Sequence, residues 1–142
     1  MAEGLLRHYY DETYEVFSAG ASPTHVNPLA VKVMTEIGID ISHERSKSIE
    51  EFRNMDFDLV VSVCSPSSKI ACLFCSSPIF AGKPEIINET LPKTKHYLQH
   101  GFNDPSEADG SDNEKLMAFR HTRDDITKWI QIFFAELKIE SL

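Results

Sequence analysis

Apolar residues recur along the chain at two different spacings, and the changes between them divide it into helices and strands. Ala2, Leu5, Leu6 and Tyr9 follow helical spacing and predict a helix over 1–10. No Ser, Thr, Asp or Asn stands ahead of that helix to occupy its first free amides, so the expectation is that part of the fold lies upstream of Met1. The β-prone run Tyr14 to Ser18, closed by Ala19-Gly20, predicts a strand and a turn. Asn27-Pro28 marks a helix start, since Asn can cap free amides and Pro at the first helical position has no amide to leave unpaired. Leu29, Val33 and Ile37 continue that helix and Gly38 stops it. Ser48 and Glu51 have capping-box spacing for a short turn over Phe52. Phe57 to Val63 is the strongest strand, apolar enough to be buried on both faces, and Cys64 follows at once.

Residues 65–95 show no clean period, although Lys95 to Leu98 has the composition of a short last strand. A tight loop spans His100 to Pro105. A second capping box, Ser111 and Glu114, opens a long helix whose inner positions are Leu116, Phe119, Arg123, Ile126, Ile130, Phe133 and Leu137. Strands alternating with helices predict one α/β layered domain with a mostly parallel sheet.

The 14 Lys and Arg against 22 Asp and Glu leave a net charge of −8, which argues against a sequence-blind grip on nucleic acid or an anionic membrane. No segment reaches the roughly 18 uninterrupted apolar residues of a membrane span, and the opening Met-Ala-Glu-Gly is unlike a secretory signal. The expectation is a cytoplasmic protein with reduced thiols. Any anion it handles must be held locally.

Several phrases, taken in order, resemble the thioredoxin-coupled arsenate reductases of the low-molecular-weight protein tyrosine phosphatase superfamily. They are Met1-Ala-Glu-Gly4, Phe17-Ser-Ala-Gly20, Val26-Asn-Pro28, Glu36-Ile-Gly-Ile-Asp-Ile-Ser42, Asp58-Leu-Val-Val61, Val63-Cys64, Gly101-Phe-Asn-Asp-Pro105, Glu114-Lys-Leu116 and Phe119-Arg-x-x-Arg-Asp124. The resemblance covers nearly the whole chain except about 65–95, and 76–95 reads as an atypical insertion. It implies a three-layer α/β fold. It also implies a central first strand running into a Cys-x5-Arg loop that grips the oxyanion, and the family's Met-Ala-Glu-Gly follows that loop directly. These residues contain no such loop: six positions after Cys64, Cys72 and Cys75 stand Ile70, Pro78 and Ala81. The expectation is a domain truncated at its N-terminal side, lacking the central strand and inactive by itself.

The resemblance assigns roles to some of the residues that are present. A Cys at the position of Cys64 attacks the arsenylated nucleophile, and Cys72 matches the second Cys that takes over the disulfide and passes it to thioredoxin. Leu73 stands where a Pro usually follows that second Cys, so Cys72 and Cys75 both stay open as the resolving thiol. Asp104 matches the general acid, a role in which a carboxyl beside an oxyanion gains from a raised pKa. Ser106 and Glu107 follow Asp-Pro where phosphotyrosine-specific members carry tyrosines, which favours the reductase branch over phosphomonoester hydrolysis. Glu3, Ser18 and Lys47 match positions behind the anion loop, where a carboxylate and a cation can brace it.

The implied partners are a small oxyanion, arsenate or a phosphate ester, and thioredoxin, with no cofactor. Spacing alone offers a different class, a structural zinc site of Cys72, Cys75, His96 and His100. A non-catalytic binding relative is a further alternative. Loss of a central strand would leave two unpaired edges, so dimerisation or swapping is expected.

Overall fold

The computed structural model describes residues 1–64 and 92–137. They form α1 (Ala2–Tyr10), α2 (Pro28–Thr35), β1 (Asp56–Ser62), β2 (Lys93–Gln99) and α3 (Asp112–Glu136), with short 3-10 turns at Ile49–Phe52 and Pro105–Glu107. Each predicted cap is made. The Asn27 side chain accepts from the Leu29 amide at 2.9 Å, with Pro28 in the first turn. Both Ser–Glu capping boxes close, Ser48 with Glu51 and Ser111 with Glu114. Helix α1 starts from Met1 with no side-chain cap, as its sequence indicated.

The core forms where the apolar stripes of the three helices meet. Leu5 of α1, Ala30, Val33 and Met34 of α2, and Leu116, Phe119, Ile126, Ile130 and Phe134 of α3 pack with Ile39 and Ile41. Gly4 sets the closest approach, because a Cβ there would stand 2.7 Å from Ile41 Cγ2. Arg123 lies within the inner stripe of α3 yet is buried, and its Nη1 donates to the Val33 carbonyl of α2 at 2.8 Å. It thereby satisfies one of the carbonyls that a helix end leaves over.

Some elements differ from expectation in their ends, pairing or burial. Helix α2 stops at Thr35, two residues before Ile37, because Gly38 at φ +80° reverses the chain and donates to the Thr35 carbonyl. Ile37 is consequently 39% exposed, and Ile39 takes the buried place instead. The run Tyr14–Ser18 is not a strand. Val16 is buried and the Phe17 ring meets Phe52 and Phe57 at 5.6 and 5.8 Å, but this stretch pairs with no strand among the described residues. A strand is defined by its neighbour, and only one parallel bridge, Gly20 to Ser48, forms nearby.

Strands β1 and β2 pair in parallel from Asp56–Lys93 to Ser62–Gln99. With one partner strand among the described residues, β1 is half-buried at Phe57, Leu59, Val60 and Val61, and these residues do not cover it on both faces as its sequence indicated. Parallel pairing sends both carboxyl ends the same way, which brings Cys64 and the segment from His100 to Asp104 to one end of the sheet.

Candidate functional site

Cys64 lies two residues past the end of β1 and is solvent-exposed. Beside it the chain leaving β2 stays tied to β1: the His100 amide donates to the Ser62 carbonyl at 2.8 Å and the Phe102 amide to Val63 at 3.2 Å. This tether leads straight into Asp104. Pro105 suits the first position of a tight turn, and Asp104 caps it, with Oδ1 accepting from the Ser106 amide at 2.9 Å and the Ser106 hydroxyl at 2.6 Å. Oδ1 is thereby committed to the turn, and among the described residues no hydrogen bond from the protein engages Oδ2. The sequence-predicted thiol and acid therefore emerge from the same end of the sheet.

A second cluster joins three distant stretches of chain. Glu3 is buried, and its Oε2 accepts a short hydrogen bond from Ser18 Oγ and another from Lys47 Nζ at 2.9 Å. Arg7 Nη2 lies 2.5 Å from Oε1, an ion pair that lacks hydrogen-bond alignment and leaves Oε1 formally unsatisfied. Burial alone would push the Glu3 carboxyl up. Donation by Ser18 and Lys47, with the charges of Lys47 and Arg7, outweighs it and holds the group below its ordinary range.

The structure thus brings Glu3, Ser18 and Lys47 together, and it adds Arg7 and Glu44, which the sequence reading missed. Arg7 donates to Glu44 Oε1 at 2.9 Å and to the Val16 carbonyl at 2.8 Å, fastening α1 to the extended Val16 segment. The spacing of Glu3 and Arg7, one helical turn, was the available signal. Nothing local pointed to Glu44.

Cys72 and Cys75, and with them the choice of resolving thiol and half of the alternative zinc set, lie outside the described residues, as does most of 76–95. The last part of that stretch opens β2, which at Lys93–Gln99 is longer than the strand expected at Lys95 to Leu98. His96 is in β2, and the His100 ring is stacked on Trp129. No group of three or more metal-ligating side chains gathers among the described residues. No helix among them is long and apolar enough to cross a membrane.

Comparison with known proteins identifies the family and the fold. The sequence profile described as low molecular weight phosphotyrosine protein phosphatase matches residues 1–141. An arsenate reductase of Halalkalibacterium halodurans is 37% identical over 133 residues, 94% of this chain and 84% of the relative. One of Bacillus subtilis is 34% identical over 136 residues, with the same coverage. Among solved structures, an arsenate reductase in its reduced state superposes with a TM-score of 0.66 at 25% identity, covering 96% of this chain and 87% of that one. An arsenate reductase in a phosphate-binding state gives 0.65 with the same coverage. The chain belongs to the low molecular weight phosphotyrosine protein phosphatase family, and within it resembles the arsenate reductases.

Proposed function

We propose that this domain serves arsenate reduction by a cysteine relay, with Cys64 as the thiol that releases arsenite. The chemistry needs an arsenylated cysteine in a Cys-x5-Arg loop, which these 142 residues do not contain. Attack of the Cys64 thiolate on that sulfur breaks the S–As bond and forms a disulfide, and the bond's electron pair leaves on arsenic, reducing As(V) to As(III). Cys72, or Cys75 in its place, then exchanges into the disulfide and frees the nucleophile. The dithiol of thioredoxin returns the two electrons, a cycle suited to a reducing compartment such as the cytoplasm.

The observation that carries this reading is the exposed Cys64 at the carboxyl end of a parallel pair, beside the Asp104 loop, in a chain 37% identical to an arsenate reductase. Asp104 supplies the proton as the oxygen leaves arsenic, and the Glu3–Ser18–Lys47 cluster braces the anion loop from behind. Without that loop the chain turns nothing over. The edge of β1 that no strand covers among the described residues draws two copies together.

The test is a thioredoxin-coupled assay on the domain carrying a Cys-x5-Arg loop, with arsenate and a phosphotyrosine ester as rival substrates. Arsenite release that Cys64→Ser abolishes supports the relay. Ester hydrolysis with no arsenate reduction assigns the protein to the phosphatase branch instead. Asp104→Asn should slow the reaction by about 10²-fold or more, the usual contribution of a general acid.

A further inference from the structure

The segment that leads from β2 to Asp104 is clamped between two elements. On one side its backbone is bound to the end of β1 and the residue that follows it, the His100 amide to Ser62 at 2.8 Å and the Phe102 amide to Val63 at 3.2 Å. On the other, its rings rest on α3. The His100 imidazole lies flat on the Trp129 indole, with centroids 4.7 Å apart and planes at 16°. Phe102 meets the same indole edge-on at 5.9 Å and 74°. Phe133 and Phe134, further along α3, pack on the indole at 5.1 and 5.7 Å and fix its orientation. Two helical turns before Trp129, the buried Thr122 hydroxyl donates to the Asn103 carbonyl at 3.3 Å. Residues 100–103 are therefore held from both sides, and the next residue is Asp104.

We infer that Trp129 is a positioning residue for Asp104, acting through the His100 and Phe102 rings and not by contact with reacting atoms. The role of Asp104 as acid is taken from the function proposed above, whereas the clamp itself is a matter of geometry. An edge-on or stacked aromatic pair adds stability beyond its buried area, and here that stability is spent on a loop with no helix or strand of its own. Local opening of such a loop is what amide hydrogen exchange reports.

The experiment is hydrogen exchange by NMR on the whole chain, comparing the His100 and Phe102 amides with those of Val33 in α2 and Ile130 in α3. Trp129→Leu keeps apolar bulk and removes the stack. It should speed exchange at His100 and Phe102 by about three- to tenfold, the range that aromatic pair energies imply, and leave Val33 and Ile130 within about twofold. Trp129→Phe restores a flat ring and should recover most of the protection, which a role in bulk packing alone would not require. His100→Leu leaves the core untouched. It should speed exchange at Phe102 and change the emission of Trp129, the one tryptophan in the sequence.

Unchanged exchange at His100 and Phe102 in Trp129→Leu overturns the inference. So does acceleration shared evenly with Val33 and Ile130, or a Trp129→Phe variant no better protected than Trp129→Leu. If Trp129→Leu does not fold, the two milder variants decide, and normal Phe102 exchange in His100→Leu counts against the clamp. None of these readouts involves arsenate or Cys64, so a failed clamp and a failed relay are told apart.

Discussion

Glu3 shows how one buried carboxylate can hold three separate stretches of chain. Its Oε2 is shared by Ser18 and by Lys47, whose side chain is only 10% exposed. Removing the cation leaves the buried carboxylate with Ser18 and the poorly aligned Arg7, and breaking buried pairs costs several times what an exposed pair contributes. Lys47→Met is predicted to lower stability by about 3 kcal/mol, and Ser18→Ala by about 1 kcal/mol, in urea unfolding. A Lys47→Met protein within about 0.5 kcal/mol of the parent would show that the cluster is a solvated surface set. Sequence supplied Glu3, Ser18 and Lys47 only as positions matching the family, Glu3 and Ser18 within its phrases and Lys47 outside them. Glu44 escaped because its contact with Arg7 spans 37 residues, a separation at which spacing along the chain carries no information, whereas Arg7 stands one helical turn from Glu3 and was locally legible.

Elements were legible where their signals were local. Each cap read from the sequence is present, since a cap is decided within four residues. Tyr14–Ser18 was misread because strand character depends on a neighbour that local composition cannot report. The length of α2 was misread for a related reason: Gly38 ends the helix three residues upstream of itself, and the apolar period runs on past the turn.

Two predictions belong at this scale. In an ordinary helix interior Ala is more stable than Gly by about 1 kcal/mol, but at Gly4 the new methyl would strike Ile41 Cγ2, part of a buried branched side chain. Gly4→Ala should therefore destabilise, by about 1 to 3 kcal/mol in thermal or chemical unfolding. The second concerns acid. Hydrogen bonds from Arg45, and then from the Ser48 amide, hold Glu51 at about 2, below its ordinary 4.5. The Ser111 amide and hydroxyl likewise hold Glu114 down. A lowered folded-state pKa gives stability that is complete above the unfolded value and disappears as pH falls through the folded one. Melting temperature should therefore decline as pH drops from about 4.5 towards 2, and Glu51→Gln should flatten that decline. Equal slopes for the two proteins would remove Glu51 from the explanation.

At the scale of the whole molecule, β1 has a single partner strand among the described residues and is half-buried along its apolar run. Such an edge is a template for association, opposed by a net charge of −8 on each copy. Analytical ultracentrifugation should find dimers or larger species at micromolar concentration. Association should strengthen as salt screens the repulsion. A monomer that melts in one cooperative step at every salt concentration would contradict this. The site follows the same division between local and global. Cys64 and Asp104 were legible as the ends of a strand and a turn, while their shared place at the carboxyl end depends on the parallel pairing.

The most direct measurement of the central claim follows NADPH consumption through thioredoxin in the presence of arsenate. It compares these 142 residues with the same domain preceded by a strand and a Cys-x5-Arg loop. The account predicts no turnover by the first and arsenite production by the second, lost on Cys64→Ser. Turnover by the first, or a Cys64→Ser protein as active as its parent, would contradict it.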